Sequence, residues 1–480
     1  MKTILLAVSY SIVIALLLVS CAPAVTEKEQ VALPEEGEAA TEKEEVVVEE
    51  DEVEVTEEEE EVVETLPVEE PKPATSTPTP SSNIPKYEDS HFGFDHANDA
   101  YDRAVALGVH WERPHPGPVV WGYIEKEKGK YNWEAVDRYV KRAQDYDFNL
   151  MMTIWPFADW DQRNCHGDES QGAGFERGLP LSRGKPCDFS AYKQFVSNLV
   201  ERYDGDGNED MPKLRAGIKY WEVSNEPTMQ EGRMIFFKGT SQDYLEILKV
   251  TCEAVKEADP EAKVLHAGMA GDPEDLSRKG FWQDVYGSGA EDYFDIANIH
   301  SIGVGGEGIY ILEMREFLDR YGIEKPIWIT EVQYSEWGLE RENLTEEEWA
   351  EVIVRSFVYG FGNGAEKLFY VALKGNPGGP GPELTTRPEG QKKKAFYAFK
   401  TMVAKIDYFT SVKKISEQQY KFIVNGNPVH VLWGSGGIPD EIAGALKVTD
   451  IYGNETQMDA SELELDNSPI FVEMTTGMND

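Results

Sequence analysis

Basic residues are scarce in this chain of 480 residues. Lys and Arg number 46 against 88 Asp and Glu, which gives a formal net charge of −42. A protein that binds nucleic acid neutralises phosphates with clustered Lys and Arg, so this balance argues against a nucleic-acid partner. The run Lys392-Lys393-Lys394 opens a helical pattern and indicates a solvated helix face. Clusters of thiolates and imidazoles are missing as well, so nothing in the sequence indicates a zinc site.

Long apolar runs are also missing, with one exception at the start. A basic start, Met1-Lys2, followed by the apolar run from Ile4 to Val19 predicts an export signal over residues 1–20. Its end, Leu18-Val19-Ser20-Cys21, resembles the lipobox of bacterial lipoproteins, which implies cleavage before Cys21 and lipid attachment to that thiol. We therefore expect a lipid anchor in the cell envelope, outside the cytoplasm, facing the periplasm or the cell surface. An uncleaved membrane span is the alternative, and the short length of the run argues against it.

Residues 21–86 lack the apolar residues that a folded core requires. Residues 26–70 contain 21 Asp or Glu against 2 Lys, and residues 71–82 are rich in Pro, Ser and Thr. Such a segment repels itself and buries little surface. We predict a disordered tether that holds the folded part, starting near Tyr87, away from the membrane.

Cysteine is limited to four residues. With Cys21 lipidated, three remain for an oxidising compartment. Cys165 and Cys187 flank one Gly-rich loop and are the expected disulfide pair, whereas Cys252 lies in a helical pattern. Two free thiols in the loop are the alternative.

Strand-like apolar runs alternate with amphipathic helical segments over residues 87–406, which is the pattern of parallel βα units. The pattern predicts eight strands and therefore a (β/α)8 barrel, a TIM barrel in the α/β class. A doubly wound open sheet is the competing fold, but the Gly-rich phosphate turn expected after its first strand is missing. Strands are predicted over residues 92–95, 108–113, 149–155, 217–223, 263–268, 296–300, 326–331 and 367–373.

Residues 407–480 change to short alternating runs separated by turns such as Asn425-Gly426. This pattern predicts a small, sandwich-like, all-β domain at the C-terminus. We expect it to pack on the barrel, because its own hydrophobic core is small. The domain serves as a structural brace in our interpretation, and a carbohydrate-binding module is the alternative.

Two glutamates close strand-like runs that are rich in β-branched and aromatic residues. Glu226 lies near the end of the run Trp221-Glu222-Val223-Ser224-Asn225-Glu226-Pro227, and Glu331 is the last residue of the run Trp328-Ile329-Thr330-Glu331. Catalytic groups of such barrels lie at the carboxyl ends of the strands. Two carboxylates in these positions suggest cleavage of a glycosidic bond.

The two runs resemble the motifs of clan A of the glycoside hydrolases, the retaining (β/α)8 enzymes, and in particular xylosidase-like family 39 and endoglycanase-like family 5 members. The resemblance covers roughly residues 90–405 and extends to Val448-Thr449-Asp450-Ile451-Tyr452-Gly453-Asn454 in the tail. It implies that Glu226 is the acid/base and Glu331 the nucleophile. For each residue taken alone, an ion-paired or helix-capping glutamate would be the plainer interpretation.

Further roles follow from the same resemblance. Asn225 is expected to bind the sugar 2-hydroxyl and Arg113 to hold the nucleophile in its ionised form. His300 matches a histidine that some of these families place near the nucleophile. A surface arginine and a core histidine are the alternatives for the last two residues.

Three departures from the clan pattern leave the sugar subsite partly unmatched. The position two residues after His300 is Ile302 instead of tyrosine, the eighth strand lacks a terminal tryptophan, and the third strand ends in Trp155 with no histidine. Trp155 and Trp337 are candidate stacking platforms for a sugar face. Ordinary packing is the alternative for both.

The segment Asp204-Gly205-Asp206-Gly207-Asn208-Glu209-Asp210 spaces oxygen ligands as calcium loops do, although it fails the EF-hand pattern. A structural calcium bound by Asp204, Asp206, Asn208 and Asp210 is one interpretation, and a solvated acidic turn is the other. No cofactor is otherwise expected.

Taken together, the sequence predicts an envelope-anchored retaining glycoside hydrolase that acts on β-linked polysaccharides or oligosaccharides. A surface lipoprotein that binds glycan without turnover is one alternative, and a transglycosylase is another. The sequence leaves the sugar, the endo or exo mode of action and the oligomeric state open.

Overall fold

The structure is a computed structural model that describes residues 86–168, 171, 178–231, 234–273, 280–302, 309–334, 344–371, 373–374, 381–387 and 390–475. The predicted signal peptide, the tether and Cys21 lie outside these residues. Among the described residues, no helix combines the length and the apolar content that crossing a bilayer requires.

Eight parallel strands form a closed barrel. Each strand pairs with the next in chain order, and the last pairs with the first through Phe92 and Leu368. The fifth and sixth strands pair over only a few residues. There, Asp295 and Ile296 both donate backbone hydrogen bonds to the Val264 carbonyl oxygen, at 2.7 and 3.2 Å. The strands are β1 Phe92–Asp95, β2 Trp111–Arg113, β3 Asn149–Ile154, β4 Tyr220–Val223, β5 Lys263–His266, β6 Ala297–Ile302, β7 Ile327–Gln333 and β8 Ala365–Tyr370.

Helices follow the strands and cover the outside of the barrel. Several begin at side-chain caps: Thr240 and Thr345 each form a capping box with the acidic residue three positions later, which satisfies free amides of the first turn. The helices are α1 Tyr101–Leu107, α2 Trp121–Ile124, α3 Glu134–Asp145, α4 Asp159–Gln162, α5 Phe189–Tyr203, α6 Ser241–Ala258, α7 Phe281–Gly287, α8 Ile311–Arg320, α9 Glu346–Gly362 and α10 Lys394–Ile406. Two short 3-10 turns, Ala290–Tyr293 and Ala460–Glu462, a hairpin of Glu125–Glu127 with Lys130–Tyr131, and the two-residue strand Met269–Ala270 beside β6 complete the elements.

The barrel interior is divided into an apolar and a polar half. Side chains near the amino ends of the strands form an apolar layer of Trp111, Met151, Leu265, Ile296, Trp328 and Phe369, with Tyr220 packed against it. Inward side chains lie two residues apart, because successive residues of a strand alternate between its two faces. The next inward side chain is polar on five of the strands, at Arg113, Thr153, Glu222, Asn298 and Thr330. Arg113, Thr153 and Glu222 occupy this upper half and are buried. The alternation thus places an apolar layer directly beneath the polar side chains of the upper half.

The chain after α10 folds into one antiparallel sheet. Its strands are β9 Phe409–Ser416, β10 Gln419–Val424, β11 Asn427–Leu432, β12 Ala445–Asp450, β13 Glu455–Asp459 and β14 Ile470–Met474, in the order β9-β10-β11-β14-β12-β13. The predicted (β/α)8 barrel and the C-terminal all-β part are therefore confirmed.

The predicted sandwich-like form of this part is wrong for the described residues, which make a single sheet of six strands. One face contributes Tyr420, Phe422 and Phe471 to the core that it shares with the barrel helices. The other face is covered by residues of its own connections, including Ile442 and Leu463. Both faces are buried in this way without a second sheet.

Contact between this sheet and α9 depends on a glycine. A Cβ at Gly362 would lie 2.2 Å from the ring of Tyr420, whereas one at Gly287, in α7, would meet nothing within 4 Å. We expect Gly362→Ala to lower the free energy of unfolding by about 1–3 kcal/mol, as overpacking does. Gly287→Ala serves as the matched control and should leave it unchanged or slightly raised. Equal midpoints of chemical denaturation for the two variants would contradict this packing.

Candidate active site

A cavity of about 730 Å³ opens at the carboxyl ends of the barrel strands. Parallel barrels place their functional groups at this end. Both predicted glutamates contribute to its wall, together with residues that follow six of the eight strands. The lining residues are Asp95, His96, His115, Asn225, Glu226, Met229, Met234, Phe236, Ala270, Gly271, Asp272, Tyr310, Glu331, Gln333 and Val371.

Glu226 reaches the cavity through an irregular turn after β4. Two non-glycine residues of this turn have positive φ, Ser224 at 67° and Glu226 at 36°. Such conformations are unfavourable for residues with a Cβ and are concentrated at functional sites. The turn directs Asn225 and Glu226 into the cavity, and both are almost fully buried.

Glu331 reaches the cavity through a bulge in β7. The pairing of β7 with β6 shifts between Ile329 and Glu331, so that one residue is left over. Thr330 hydrogen-bonds inside the barrel, and its neighbour Glu331 lines the cavity. A regular strand would turn one of them to the outside, so the bulge allows consecutive residues to serve the same site.

The two carboxylates lie close together, with His300 between them. One oxygen of Glu226, one of Glu331 and a ring nitrogen of His300 all lie within 4.8 Å of one another. His300 Nδ1 is 2.9 Å from Glu226 Oε1 and 3.6 Å from Glu331 Oε1. The structure thus brings together residues that are separated by more than a hundred positions in the chain.

Arg113 is the centre of charge beneath the cavity. Its side chain is fully buried, and its Nη1 donates to Glu331 Oε1 at 2.6 Å and to Asp95 Oδ1 at 3.4 Å. Its Nε and Nη2 donate to Glu222 at 2.9 and 3.1 Å. The surface alternative for Arg113 is therefore wrong, and the guanidinium holds Glu331 in place instead of contacting solvent.

Glu222 is a residue of this site that the sequence analysis missed. Its carboxylate accepts hydrogen bonds from Arg113, Thr153 and Asn298, all of them buried. The available signal was an acidic residue in the middle of a buried strand run, two positions after the inward-facing Tyr220. Such a residue needs a buried positive partner.

Asn225 is oriented by the same guanidinium. Arg113 Nη2 donates to Asn225 Oδ1 at 2.5 Å. Because arginine has donors only, the amide oxygen must face Arg113, and the amide NH2 is the group that Asn225 can offer to the cavity.

Burial and neighbouring charges have opposing effects on the pKa values of Glu331 and His300. Burial raises the pKa of Glu331, with the carboxylates of Asp95 and Glu226 adding to the effect, while His300 and Arg113 act to lower it. Burial disfavours the charged form of His300, but the nearby Glu331 and Glu226 outweigh it and raise the pKa of that imidazole. His300 is thus a buried histidine that is tied to both carboxylates.

The predicted tryptophan platforms are not confirmed. Trp155 has no exposed surface and donates its indole N–H to the Pro116 carbonyl at 2.5 Å. It packs behind His115 and Phe236, which line the cavity, so it supports the wall and cannot stack on a sugar. Trp337 lies outside the described residues.

The Sγ atoms of Cys165 and Cys187 are bonded in a disulfide, the pair expected from the sequence. Cys252 is free and buried. The described part of the loop that carries the disulfide contributes no residue to the cavity lining.

An ion pair that the sequence did not indicate lies at the cavity edge. His96 Nδ1 is 2.5 Å from Asp95 Oδ2, and the His96 side chain is 46% exposed. The Asp95 carboxylate raises the pKa of His96 to about 9. Burial opposes ionisation of Asp95, but His96 and Arg113 outweigh it and lower the pKa of that carboxyl.

This pair predicts a pH dependence of stability. Its contribution is complete below about pH 6.5, the ordinary pKa of histidine, and is lost as the pH rises through about 9. We expect the free energy of unfolding to fall over that range, and to fall less in His96→Gln. Parallel pH profiles from chemical denaturation of the two proteins would contradict the assignment.

The acidic loop brings three of its four predicted ligands together. Oxygens of Asp204, Asp206 and Asp210 lie within 4.8 Å of one another. Asp210 accepts the amides of Gly205 and Gly207 at 3.0 and 2.8 Å, and Asn208 donates to Glu201 at 2.6 Å. Burial, followed by repulsion from neighbouring carboxylates, raises the pKa of Asp204 to about 6.

Calcium binding at this loop stays a prediction. A bound ion stabilises the folded state by mass action, so millimolar calcium should raise the Tm above that in a chelator. The gain should disappear in Asp210→Asn. If the Tm is the same with and without calcium, the loop is an acidic turn held by its own amides.

Comparisons with known proteins identify the fold. No protein-family profile matches the chain, and no curated protein matches it in sequence. Solved structures do match. A family 39 β-xylosidase from Caulobacter crescentus superposes with a TM-score of 0.57 at 15% identity, over 82% of this chain and 96% of the other. A family 39 glycoside hydrolase from Bacteroides cellulosilyticus WH2 gives 0.56 at 14%, over 80% and 81%.

A family 30 subfamily 8 xylanase from Clostridium acetobutylicum gives a TM-score of 0.52 at 13% identity, over 80% of this chain and 96% of the other. These identities are low, and the agreement is one of architecture. The chain therefore has the fold of the family 39 and family 30 glycoside hydrolases, a (β/α)8 barrel with an appended β-sheet.

Proposed function

We propose that this protein is a retaining glycoside hydrolase that cleaves β-glycosidic bonds by double displacement. The observation that carries the proposal is the pair of buried carboxylates, Glu226 and Glu331, with oxygens within 4.8 Å of each other across one cavity. Retaining enzymes hold their two carboxyl groups about 5–5.5 Å apart, whereas inverting enzymes leave about 6.5–9.5 Å for a water molecule. The short separation favours direct attack by one carboxylate.

Glu331 is the nucleophile in this proposal. It attacks the anomeric carbon while the bond to the leaving oxygen breaks, and a covalent glycosyl ester forms. The ionised form is needed for attack, and Arg113 supplies a donor to Oε1 at 2.6 Å that favours it. The same contact fixes the direction in which the carboxylate points.

Glu226 is the acid/base. In the first step its proton passes to the leaving oxygen, and in the second step its carboxylate takes a proton from the water that attacks the anomeric carbon. That attack releases Glu331 and a sugar of retained configuration. The amide oxygen of Asn225 accepts from Arg113. In this proposal the amide NH2 donates to a sugar hydroxyl next to the reacting carbon.

The substrate in this proposal is a β-linked polysaccharide or the oligosaccharides released from it. The matched structures include a β-xylosidase and a xylanase, which makes xylan-derived chains the first to test. Among the residues that the structure describes, Phe236, Met229 and Met234 supply large apolar side chains to the cavity wall, and no tryptophan lines it. We further propose that Cys21 is lipidated and anchors the enzyme in the cell envelope, on the basis of the lipobox-like sequence.

Substitution of each glutamate tests the mechanism. Glu226→Gln and Glu331→Gln should each lower kcat/KM on phenyl β-glycosides, whose leaving group departs with a proton, by about 10²-fold or more, because each removes a group that takes part in bond cleavage. The matched control is Glu112→Gln. Glu112 is equally buried, but its side chain points from β2 to the outer face of the barrel, where it accepts hydrogen bonds from Tyr101 and Tyr139. Its substitution should leave the rate nearly unchanged.

The outcomes separate the alternatives. Azide added to Glu331→Gly should give a glycosyl azide of inverted configuration, which would identify the nucleophile. Full activity in either glutamine variant would contradict the assignment. Binding of xylan, mannan and β-glucan without any product from the wild-type protein would indicate a glycan-binding protein, and sugar transfer to an added acceptor in preference to water would indicate a transglycosylase.

A further inference from the structure

A continuous chain of hydrogen bonds runs inside the barrel from Glu331 to Glu226. It starts with Arg113, which donates both to Glu331 and to Glu222. It continues through Asn298 and Thr330 and ends at His300, whose Nδ1 meets Glu226. Asn298, Thr330 and His300 have no exposed surface, so bulk water cannot replace their partners.

The direction of the first bonds follows from the chemistry of the groups. Arginine has only donors, and Arg113 contacts both oxygens of Glu222, so both oxygens accept. Asn298 Nδ2 is 2.7 Å from Glu222 Oε1 and 3.3 Å from the His266 carbonyl oxygen, both of which are acceptors. The NH2 group must face these two atoms, and Asn298 Oδ1 must face Thr330.

The donors and acceptors of the side chains also fix the direction of the next two bonds. Asn298 Oδ1 can only accept, so Thr330 Oγ1 uses its single proton to donate to it, at 2.8 Å. Thr330 Oγ1 then has only lone pairs to offer to His300 Nε2, which is 3.0 Å away. Nε2 must carry a proton to make this bond. A Cβ at residue 268 would lie 1.9 Å from Nε2, so Gly268 allows the ring to pack closely in this position.

We infer that Thr330 and Asn298 are positioning residues that hold the proton of His300 on Nε2, so that Nδ1 and Glu226 share one proton between them. The shared proton occupies the 2.9 Å contact between Nδ1 and Glu226 Oε1. Either the glutamic acid donates to a neutral imidazole or an imidazolium donates to the carboxylate. In both forms the pair retains the proton that the leaving oxygen will receive.

This inference rests on the proposed role of Glu226 as acid/base and extends it to residues that do not touch the substrate. If the hydroxyl of Thr330 is removed, Nε2–H loses its buried acceptor. The neutral imidazole can then carry its proton on Nδ1, and Nδ1–H stabilises the Glu226 carboxylate. The pair therefore loses its shared proton at lower pH.

The experiment compares Thr330→Val, which keeps the shape of the side chain, with Thr330→Ser, which keeps the hydroxyl. The alkaline limb of the pH profile of kcat/KM should move down by about one pH unit in Thr330→Val, the size expected from one lost buried hydrogen bond. Thr330→Ser should restore the wild-type limb. The substrates are aryl β-xylosides or aryl β-glucosides with a poor leaving group, such as phenol.

A second substrate separates positioning from structural damage. The 2,4-dinitrophenyl glycoside leaves without a proton, so its profile should lack the displaced limb. An unmoved limb for the phenyl glycoside, or equal losses for both leaving groups at every pH, would overturn the inference.

Nuclear magnetic resonance tests the inference independently of turnover. With histidine labelled by nitrogen-15, the His300 signals are identified as those missing in His300→Gln. Wild-type Nε2 should be protonated at neutral pH, and Thr330→Val should move the proton to Nδ1. An unprotonated Nε2 in the wild-type protein would overturn the inference even if hydrolysis is confirmed. Conversely, a protonated Nε2 in a protein that hydrolyses no glycoside would refute the proposed function alone.

Discussion

The site depends on one buried guanidinium. Arg113 lies inside the barrel in contact with Asp95, Glu222 and Glu331, and these side chains are almost completely removed from water. Burying an isolated charge is costly, and removing one partner of a buried ion pair costs about 3–5 kcal/mol because the other remains uncompensated. The cluster is stable only as a whole. Its members are therefore held in fixed positions, which is what a catalytic carboxylate requires.

The same guanidinium connects the charge cluster with Glu226, the proposed acid/base. Because Arg113 has only donors, Glu222 accepts from it. Glu222 in turn fixes the orientation of the Asn298 amide, and the directions of the hydrogen bonds from Asn298 to Thr330 and from Thr330 to His300 follow. Each group in this series has limited donors or acceptors, so one fixed end determines the rest. Glu331 lies at one end of the series and Glu226 at the other. The two carboxylates share a site and differ in environment: Glu331 receives a donor from Arg113, and Glu226 faces a histidine that can return a proton.

Two irregularities of the backbone make this arrangement possible. A regular β4 would continue to alternate, but Ser224 and Glu226 adopt positive φ and turn Asn225 and Glu226 together into the cavity. A regular β7 would direct either Thr330 or Glu331 outward, but the bulge directs both inward. The first feature stores strain and the second leaves an unpaired residue. The apolar layer around Trp111 and Trp328 lies below the irregular segments and supports them.

The features of the fold that depend on local sequence pattern were predicted correctly. The alternation of strand-like and helical segments predicted the barrel, and the observed bounds of β1 agree with the predicted range. The prediction of a sandwich-like tail was wrong because short alternating strands do not reveal whether a second sheet or the barrel helices will cover them. Trp155 was taken for a platform because it follows a strand, yet residues from other loops cover it completely.

The sequence by itself determined the fold, the disulfide pair and the two glutamates at strand ends, because periodicity, spacing and short motifs are properties of neighbouring residues. Only the tertiary structure decided that Glu226 and Glu331 lie within 4.8 Å of each other, that Glu222 accepts from Arg113, and that Thr330 contacts His300. These contacts join different strands across the barrel. Closure of the barrel and the bulge in β7 create them, and neither can be read from residues that are adjacent in the chain.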